Sequence, residues 1–183
     1  MNLKNHLLIA MPNLEDPNFS KSVTLICEHD EQGAIGLVLN RPLPLHVGEL
    51  LQQLNIECTQ DKWTHKSVMS GGPVNPENGF VLHRPPGGWQ NTLLVNDDVA
   101  LSSSLDVLQA LAQNNGPDEA IVALGYAGWA AGQLEHELKS NAWLTHPADN
   151  DMLFYTRFDK LWDAAAKAIG IDINQLSNYA GHA

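Results

Sequence analysis

The run Ala120 to Leu124 is five residues long and wholly apolar. It is too short for a self-standing helix and reads as a strand buried on both faces. Such a strand needs cover above and below, so the chain must fold in layers around it. The remaining segments are of matching size. Val23 to Cys27 is apolar and β-branched, and Ala34 to Leu39 reads as its hairpin partner across a loop of about five residues. Asn40-Arg41-Pro42-Leu43-Pro44 should break the sheet, because proline donates nothing to a ladder. Val47 to Leu54 has helical spacing, with Val47, Leu50, Leu51 and Leu54 on one face. Ser67 to Met69, Gly79 to His83, Thr92 to Val95 and Asp151 to Tyr155 read as further strands. Leu105 to Gln113 reads as a helix behind Ser104, Trp129 to Lys139 as another, and Phe158 to Ile169 as a third, closed by Gly170. Gly125-Tyr126-Ala127-Gly128 is expected to turn the buried strand into the Trp129 helix, and the tail from Asn174 to Ala183 is mixed. Short strands interleaved with about four helices imply a mixed α/β or α+β chain.

A chain of 183 residues, 44% hydrophobic, is one domain of ordinary size. It needs neither disulfide nor structural metal, and the two cysteines, Cys27 and Cys58, are expected as reduced thiols. The N-terminal apolar run Leu7 to Met11 is too short for a signal-peptide core, and no stretch approaches a membrane span, so the expected location is the cytoplasm. The net charge is −11, and no Lys or Arg lies between Arg84 and Lys139. Nucleic-acid binding depends on basic clusters that neutralise phosphates, so a nucleic-acid partner is not expected; nor is a membrane partner. Folding could still gather a local basic patch.

Several segments carry a chemical reading beside a structural one. Ser70-Gly71-Gly72-Pro73 could hold backbone N–H groups toward an anion, or could simply make a tight turn. Gly125 to Gly132 has the spacing G-x-x-G-x-x-x-G, which is not the dinucleotide fingerprint, and its glycines also serve close packing. Within the expected helix, Trp129, Gln133 and Glu137 would repeat on one face, the makeup either of a polar binding face or of a solvated face with an aromatic anchor. His136-Glu137 begins a zinc motif that position 140, a serine, leaves incomplete. Cys27 and His29 stand two apart on a strand and should point to one side, although a buried thiol is the simpler reading. No catalytic set is complete, and no metal or cofactor is expected.

Three blocks, LLIAMPNLEDPNFSKSVTLICEHDEQGAIGLVLNRP from Leu7, SGGPVNPENGF from Ser70 and GYAGWAAGQLEHELKSNAW from Gly125, resemble the signatures of the AlgH/YqgE family, in the same order. The resemblance covers essentially the whole chain. It implies a single α+β domain over 1–183 with a bifurcated, partly barrel-like sheet flanked by helices. The resemblance names no reaction; with no catalytic set complete, the first functional reading is a regulatory or binding protein acting through a protein partner or a small anionic ligand. The resemblance marks Asn40, Arg41, Gly71, Gly72, Pro73, Gly125, Gly128, Trp129, Gln133, Glu135 and Trp143 as family-type positions. The candidate ligand-site residues are Asn40, Arg41, Gly71, Gly72, Pro73, Trp129, Gln133, Glu135 and Glu137, of which Arg41, the Gly71-Gly72 turn and the Trp129, Gln133 and Glu137 face are expected to meet in one shallow cleft for a carboxylate-bearing or other anion. A structural alternative has Arg41 pairing with Glu135 or Glu137. A small-molecule enzyme built on the same residues is the second functional reading, and a DNA-binding regulator the third, disfavoured by charge.

Overall fold

The computed structural model describes residues 1–179. The fold is mixed α+β. It is built from two compact units, Met1–Asn40 with the chain from Ala127 onward, and Arg41–Tyr126. No helix among the described residues is long and apolar enough to cross a membrane.

In the first unit, β1 (His6–Ala10), β2 (Val23–Asp30), β3 (Gly33–Val38) and the last four residues of a longer strand, Ala127 to Ala130, lie side by side; Trp143–Pro147 pairs on the far side of β1. Every pairing there is antiparallel. The first hairpin is tighter than expected. β2 runs to Asp30 and β3 starts at Gly33, leaving Glu31 and Gln32 as the turn. Gly33 makes this possible: its φ is +139°, and a Cβ there would lie 2.1 Å from the Trp129 carbonyl oxygen. Leu8, Ile26, Ala127, Trp129, Leu134 and Trp143 form the centre of this unit's core.

In the second unit, β4 (Pro42–His46) pairs with β5 (Ser67–Ser70), and α1 (Val47–Gln53) and α2 (Asp61–Thr64) lie between them in sequence. β6 (Val74–Arg84), β7 (Thr92–Leu94), β8 (Ala100–Ser102) and α3 (Leu105–Ala112) lead into β9 (Glu119–Ala130). Ala123 pairs with Met69 of β5 on one edge, in parallel, and with Phe80 of β6 on the other, antiparallel. Ala120, Val122 and Ala123 are buried and Ile121 and Leu124 half-buried; α1, α2 and α3 help cover Ala120 and Val122 through Leu51, Trp63, Leu108 and Leu111. The sheet is bifurcated because β9 carries β5 and β6 along its first part and β3 along its last. After β9 come α4 (Gln133–Lys139), β10 (the Trp143–Pro147 strand), α5 (Asn150–Tyr155), α6 (Phe158–Ala168) and α7 (Ile173–Tyr179). α6 packs on β1 and β2, and Trp162 Nε1 donates to the Ala10 carbonyl at 2.9 Å.

Three expectations are corrected. Pro42 and Pro44 do not end the sheet: they sit on the exposed side of β4, which meets β5 only at Pro42↔Met69 and His46↔Ser67. Gly125-Tyr126-Ala127-Gly128 does not turn; β9 continues through it, with Gly125, Ala127 and Trp129 buried on alternate positions. Asp151 to Tyr155 lies in helix α5, because the Asp149 carboxylate accepts the amides of Asp151 and Met152. Of the mixed tail, 174–179 belongs to α7, and 180–183 lies outside the described residues.

Candidate functional site

Trp129, Gln133, Glu135 and Glu137 belong to the first unit, and Arg41, Gly71, Gly72 and Pro73 to the second, with Asn40 at the end of the first. Trp129 is not on the helix of Gln133 and Glu137, as the spacing predicts, but on β9, three residues before the left-handed Gly132 that starts α4. The three side chains meet nonetheless. Glu137 Oε2 accepts the indole N–H of Trp129 at 2.9 Å and that of Trp143 at 2.8 Å, while Oε1 accepts Gln133 Nε2 at 2.9 Å. Gln133 Oε1 in turn accepts the Ala130 amide. Phe19 closes the cluster edge-on to Trp143, ring centres 5.6 Å apart. The carboxylate thus receives three donors from its own unit and joins α4 to β9 and β10.

Glu135 accepts from His29 Nε2 at 2.8 Å. The Leu3 amide donates to His29 Nδ1, which fixes the tautomer with its proton on Nε2. Glu135's own backbone amide, then His29, hold its carboxyl below the ordinary range. Cys27 does not form a pair with His29. A bulge between Ile26 and Glu28 disturbs the alternation that would put them on one side. The thiol is fully buried, donates to the Leu25 carbonyl, and burial pushes its pKa up to about 12, so it is no nucleophile.

The remaining residues singled out from sequence also serve the backbone. Asn40 Oδ1 accepts the Val23 amide and its Nδ2 donates to the Lys21 carbonyl. The Arg41 carbonyl accepts the Ser70 amide at 2.7 Å, so Arg41 and Gly71 are near neighbours in the second unit. The Gly71 amide, wanted for an anion, donates to the Leu124 carbonyl at 2.8 Å. Gly71 and Gly72 are buried, and Pro73 is exposed.

Two features of the second unit have no counterpart in the sequence motifs. The first is a polar chain. His83, fully buried, has Nδ1 3.0 Å from the Pro85 carbonyl and Nε2 2.7 Å from Ser102 Oγ, which lies 2.7 Å from Thr92 Oγ1. The carbonyl places the proton on Nδ1, so Ser102 donates to Nε2. This is a serine–imidazole contact, but Ser102 is 1% exposed, so no substrate reaches it. Inward parity with Val81 on the expected Gly79–His83 strand is the sequence signal for a buried histidine.

The second feature is a cleft of about 480 Å³ walled by α1, α3 and β6. Leu50, Leu54, Leu105, Leu108 and Phe80 give it apolar walls, and Glu77 and Ser103 stand among its polar residues. Its lip comes from residues 75–78, which the bulge between Val74 and Gly79 leaves out of the ladder with β9. At Gly79 a Cβ would meet nothing within 4 Å. Among the described residues, no group of three or more His, Cys, Asp or Glu side chains is placed to hold a metal ion.

Residues 7–174 match the family model described as DUF179, AlgH-like. A UPF0301 protein of Saccharophagus degradans is 49% identical over 185 residues, spanning 100% of this chain and 90% of that one. A UPF0301 protein of Xanthomonas campestris pv. campestris is 50% identical over 181 residues, 99% and 96% of the two chains. The solution structure of the AlgH protein from Pseudomonas aeruginosa is similar with a TM-score of 0.81 at 47% identity, covering 100% of this chain and 97% of that one. The crystal structure of protein DIP2367 from Corynebacterium diphtheriae, 20% identical, has a TM-score of 0.76 over 96% and 91% of the chains, and shares the fold.

Proposed function

We propose that this chain, which belongs to the AlgH-like family, is a non-enzymatic binding protein that takes an apolar side chain of a partner protein into the cleft between α1, α3 and β6. The observation that carries this reading is the cleft's apolar wall. Leu54 is 40% exposed and Leu105 55% exposed, beside an opening that Gly79 leaves unfilled. Large exposed leucines around a concavity mark surfaces that a partner covers. The polar residues that an enzyme would need are engaged elsewhere: Glu137 takes three donors, and the Gly71 amide is paired. Glu77 beside the cleft and a net charge of −11 favour a partner segment with basic residues flanking its apolar anchor. Free thiols at Cys27 and Cys58 fit a reducing compartment, and we place the protein in the cytoplasm.

A photo-crosslinking amino acid at Leu105, introduced in the cells that make the protein, tests the reading. A discrete protein adduct is expected there and not from the same group at Lys160 on α6. Gly79→Leu, which fills the cleft, should remove the adduct while leaving the melting temperature unchanged. Equal adducts at both positions, or an adduct indifferent to Gly79→Leu, would overturn it.

A further inference from the structure

Two Asn-Gly pairs occur in the sequence, Asn78-Gly79 and Asn115-Gly116. In such a pair the glycine nitrogen can reach the asparagine side-chain carbonyl carbon, because no Cβ on the second residue stands in the way. The main chain must turn for the two atoms to meet, so the fold decides which pair reacts. The two are held differently.

β6 leaves its ladder with β9 after Val74↔Tyr126 and rejoins it at Gly79↔Leu124, so residues 75–78 stand opposite Gly125 alone. Asn75 opens the excursion in the left-handed region, φ +45°, and Pro76 has no N–H to give. The Leu124 carbonyl is turned to the other edge of β9, where it accepts the Gly71 amide at 2.8 Å. The N–H and C=O of one strand residue point the same way, so Gly79 and Leu124 are a non-hydrogen-bonded pair and the Gly79 amide faces away from β9. On that side β8 ends at Ser102, opposite Val81, and does not reach it. A Cβ on Gly79 would meet nothing within 4 Å, and Asn78 is exposed on the wall of the cleft. The second pair is pinned. The Asn115 amide donates to the Ala110 carbonyl at 2.9 Å, and a Cβ on Gly116 would lie 2.8 Å from the Leu111 nitrogen and 3.1 Å from the Ala110 carbonyl carbon. Turning that peptide would break the bond and press Gly116 into the end of α3.

We propose that Asn78 is a self-modification site, where the Gly79 nitrogen closes on the Asn78 side-chain amide and water opens the ring to an acidic residue. The Gly79 nitrogen gives its proton to solvent and attacks Asn78 Cγ. The new N–C bond forms, the bond from Cγ to Nδ2 breaks, and ammonia leaves with that electron pair and a proton from solvent. A five-membered imide remains. One water then adds to a ring carbonyl and breaks its bond to the ring nitrogen, which regains a proton. Opening at Cγ gives an aspartyl residue. Opening at the main-chain carbonyl gives an isoaspartyl residue, whose main chain runs through the side-chain carbon. One water enters, one ammonia leaves, and nothing is oxidised or reduced. Attack from the adjoining residue has the advantage of an intramolecular step, and a segment outside the ladder turns at small cost. The product sets a carboxylate beside Glu77 on the cleft; in the isoaspartyl form it also lengthens the main chain where β6 rejoins β9. The reaction needs only the chain and water, so it stands whether or not a partner fills the cleft.

The test is incubation of the full chain at mildly alkaline pH, folded and in guanidinium, with both Asn-Gly peptides followed by chromatography and mass spectrometry. Unfolded, the two sites should react at similar rates. Folded, Asn78 should keep most of its unfolded rate while Asn115 slows about tenfold or more, because its pair must first open locally. A separately eluting peptide of the same mass as the aspartyl form is expected at position 78, since only the ring route gives the isoaspartyl product. Gly79→Ala crowds the attacking nitrogen and should slow Asn78 severalfold with the melting temperature unchanged. Folded Asn78 reacting no faster than folded Asn115, no isoaspartyl product, or a rate indifferent to Gly79→Ala would each overturn the site.

Discussion

Glu137 draws together more of its unit than any motif indicates. Removing its carboxylate in Glu137→Ala leaves the indole N–H groups of Trp129 and Trp143, residues 6% and 5% exposed, without their acceptor. An unsatisfied buried donor costs about 1–3 kcal/mol, so Glu137→Ala is expected to lose about 2–4 kcal/mol in urea unfolding. Glu137→Gln should lose about 1 kcal/mol. Its oxygen can occupy the Oε2 position and keep both indoles, and only Gln133 Nε2 then faces a donor. Equal losses for the two variants would show that the carboxylate does not join the indoles. Sequence spacing draws Trp129, Gln133 and Glu137 together, and the structure does bring them into contact. The reason differs: Trp129 reaches Glu137 from a strand, across the left-handed Gly132, rather than along a helix. His83 and Ser102 are illegible as a pair because 19 positions and no motif separate them; only strand pairing, Val81↔Ser102 and His83↔Ala100, brings them side by side.

Strand β9 shows where local pattern and tertiary context part. Small residues from Gly125 to Gly132 permit a turn, a helix or a strand, and pairing with β3 and β6 selects the strand. Once the neighbours are known, the alternation of buried Gly125, Ala127 and Trp129 is plain. The short strands β1, β8 and β10 carry no clear alternation of their own and are fixed by pairing, β1 with β2 and β10, and β8 with β6 and β7. Within β9, Gly125 is needed for close approach. Its φ is +75°, and a Cβ there would sit 2.3 Å from the Gly72 carbonyl oxygen and 3.2 Å from the Pro76 backbone. Backbone cannot yield as a side chain does, so Gly125→Ala should cost about 3 kcal/mol or more, combining left-handed strain with displacement of the Gly71-Gly72 turn. Gly79→Ala on the paired strand β6 meets open space and should change stability by less than about 0.5 kcal/mol. Thermal unfolding of the two variants separates a glycine required by packing from one that leaves a cleft open; comparable losses would contradict this account of the turn.

At the scale of the whole molecule, composition excludes more than it assigns. The total charge of −11 hides the local meeting of Lys62 and Lys66 over the Trp63 ring. The same holds for titration, where one buried group governs a pH range that the total charge does not reveal. Burial holds His83 below its ordinary value of 6.5, with the Pro85 carbonyl pulling the other way. The unfolded chain therefore binds a proton at pH values where the folded chain does not. Stability is full above about 6.5 and falls as the pH drops below it, until the folded histidine titrates as well. A single such proton changes stability by at most about 1.4 kcal/mol per pH unit. Glu135 and Asp106 act in a lower window. Their carboxyls are depressed from 4.5 and 3.8, so their contribution is present above those values and is lost as the pH falls through the folded-state ones. Urea midpoints between pH 7.5 and 5 thus read the imidazole and not these acids. His83→Gln can still accept from Ser102 and donate to the Pro85 carbonyl, but it cannot titrate. The difference in stability between unmodified protein and this variant should hold from pH 7.5 to about 6.5 and narrow below it, because only the unmodified protein loses His83's contribution. A difference that stays constant across that range would mean that His83 titrates alike in the folded and unfolded chains, so that its burial does not favour the neutral ring.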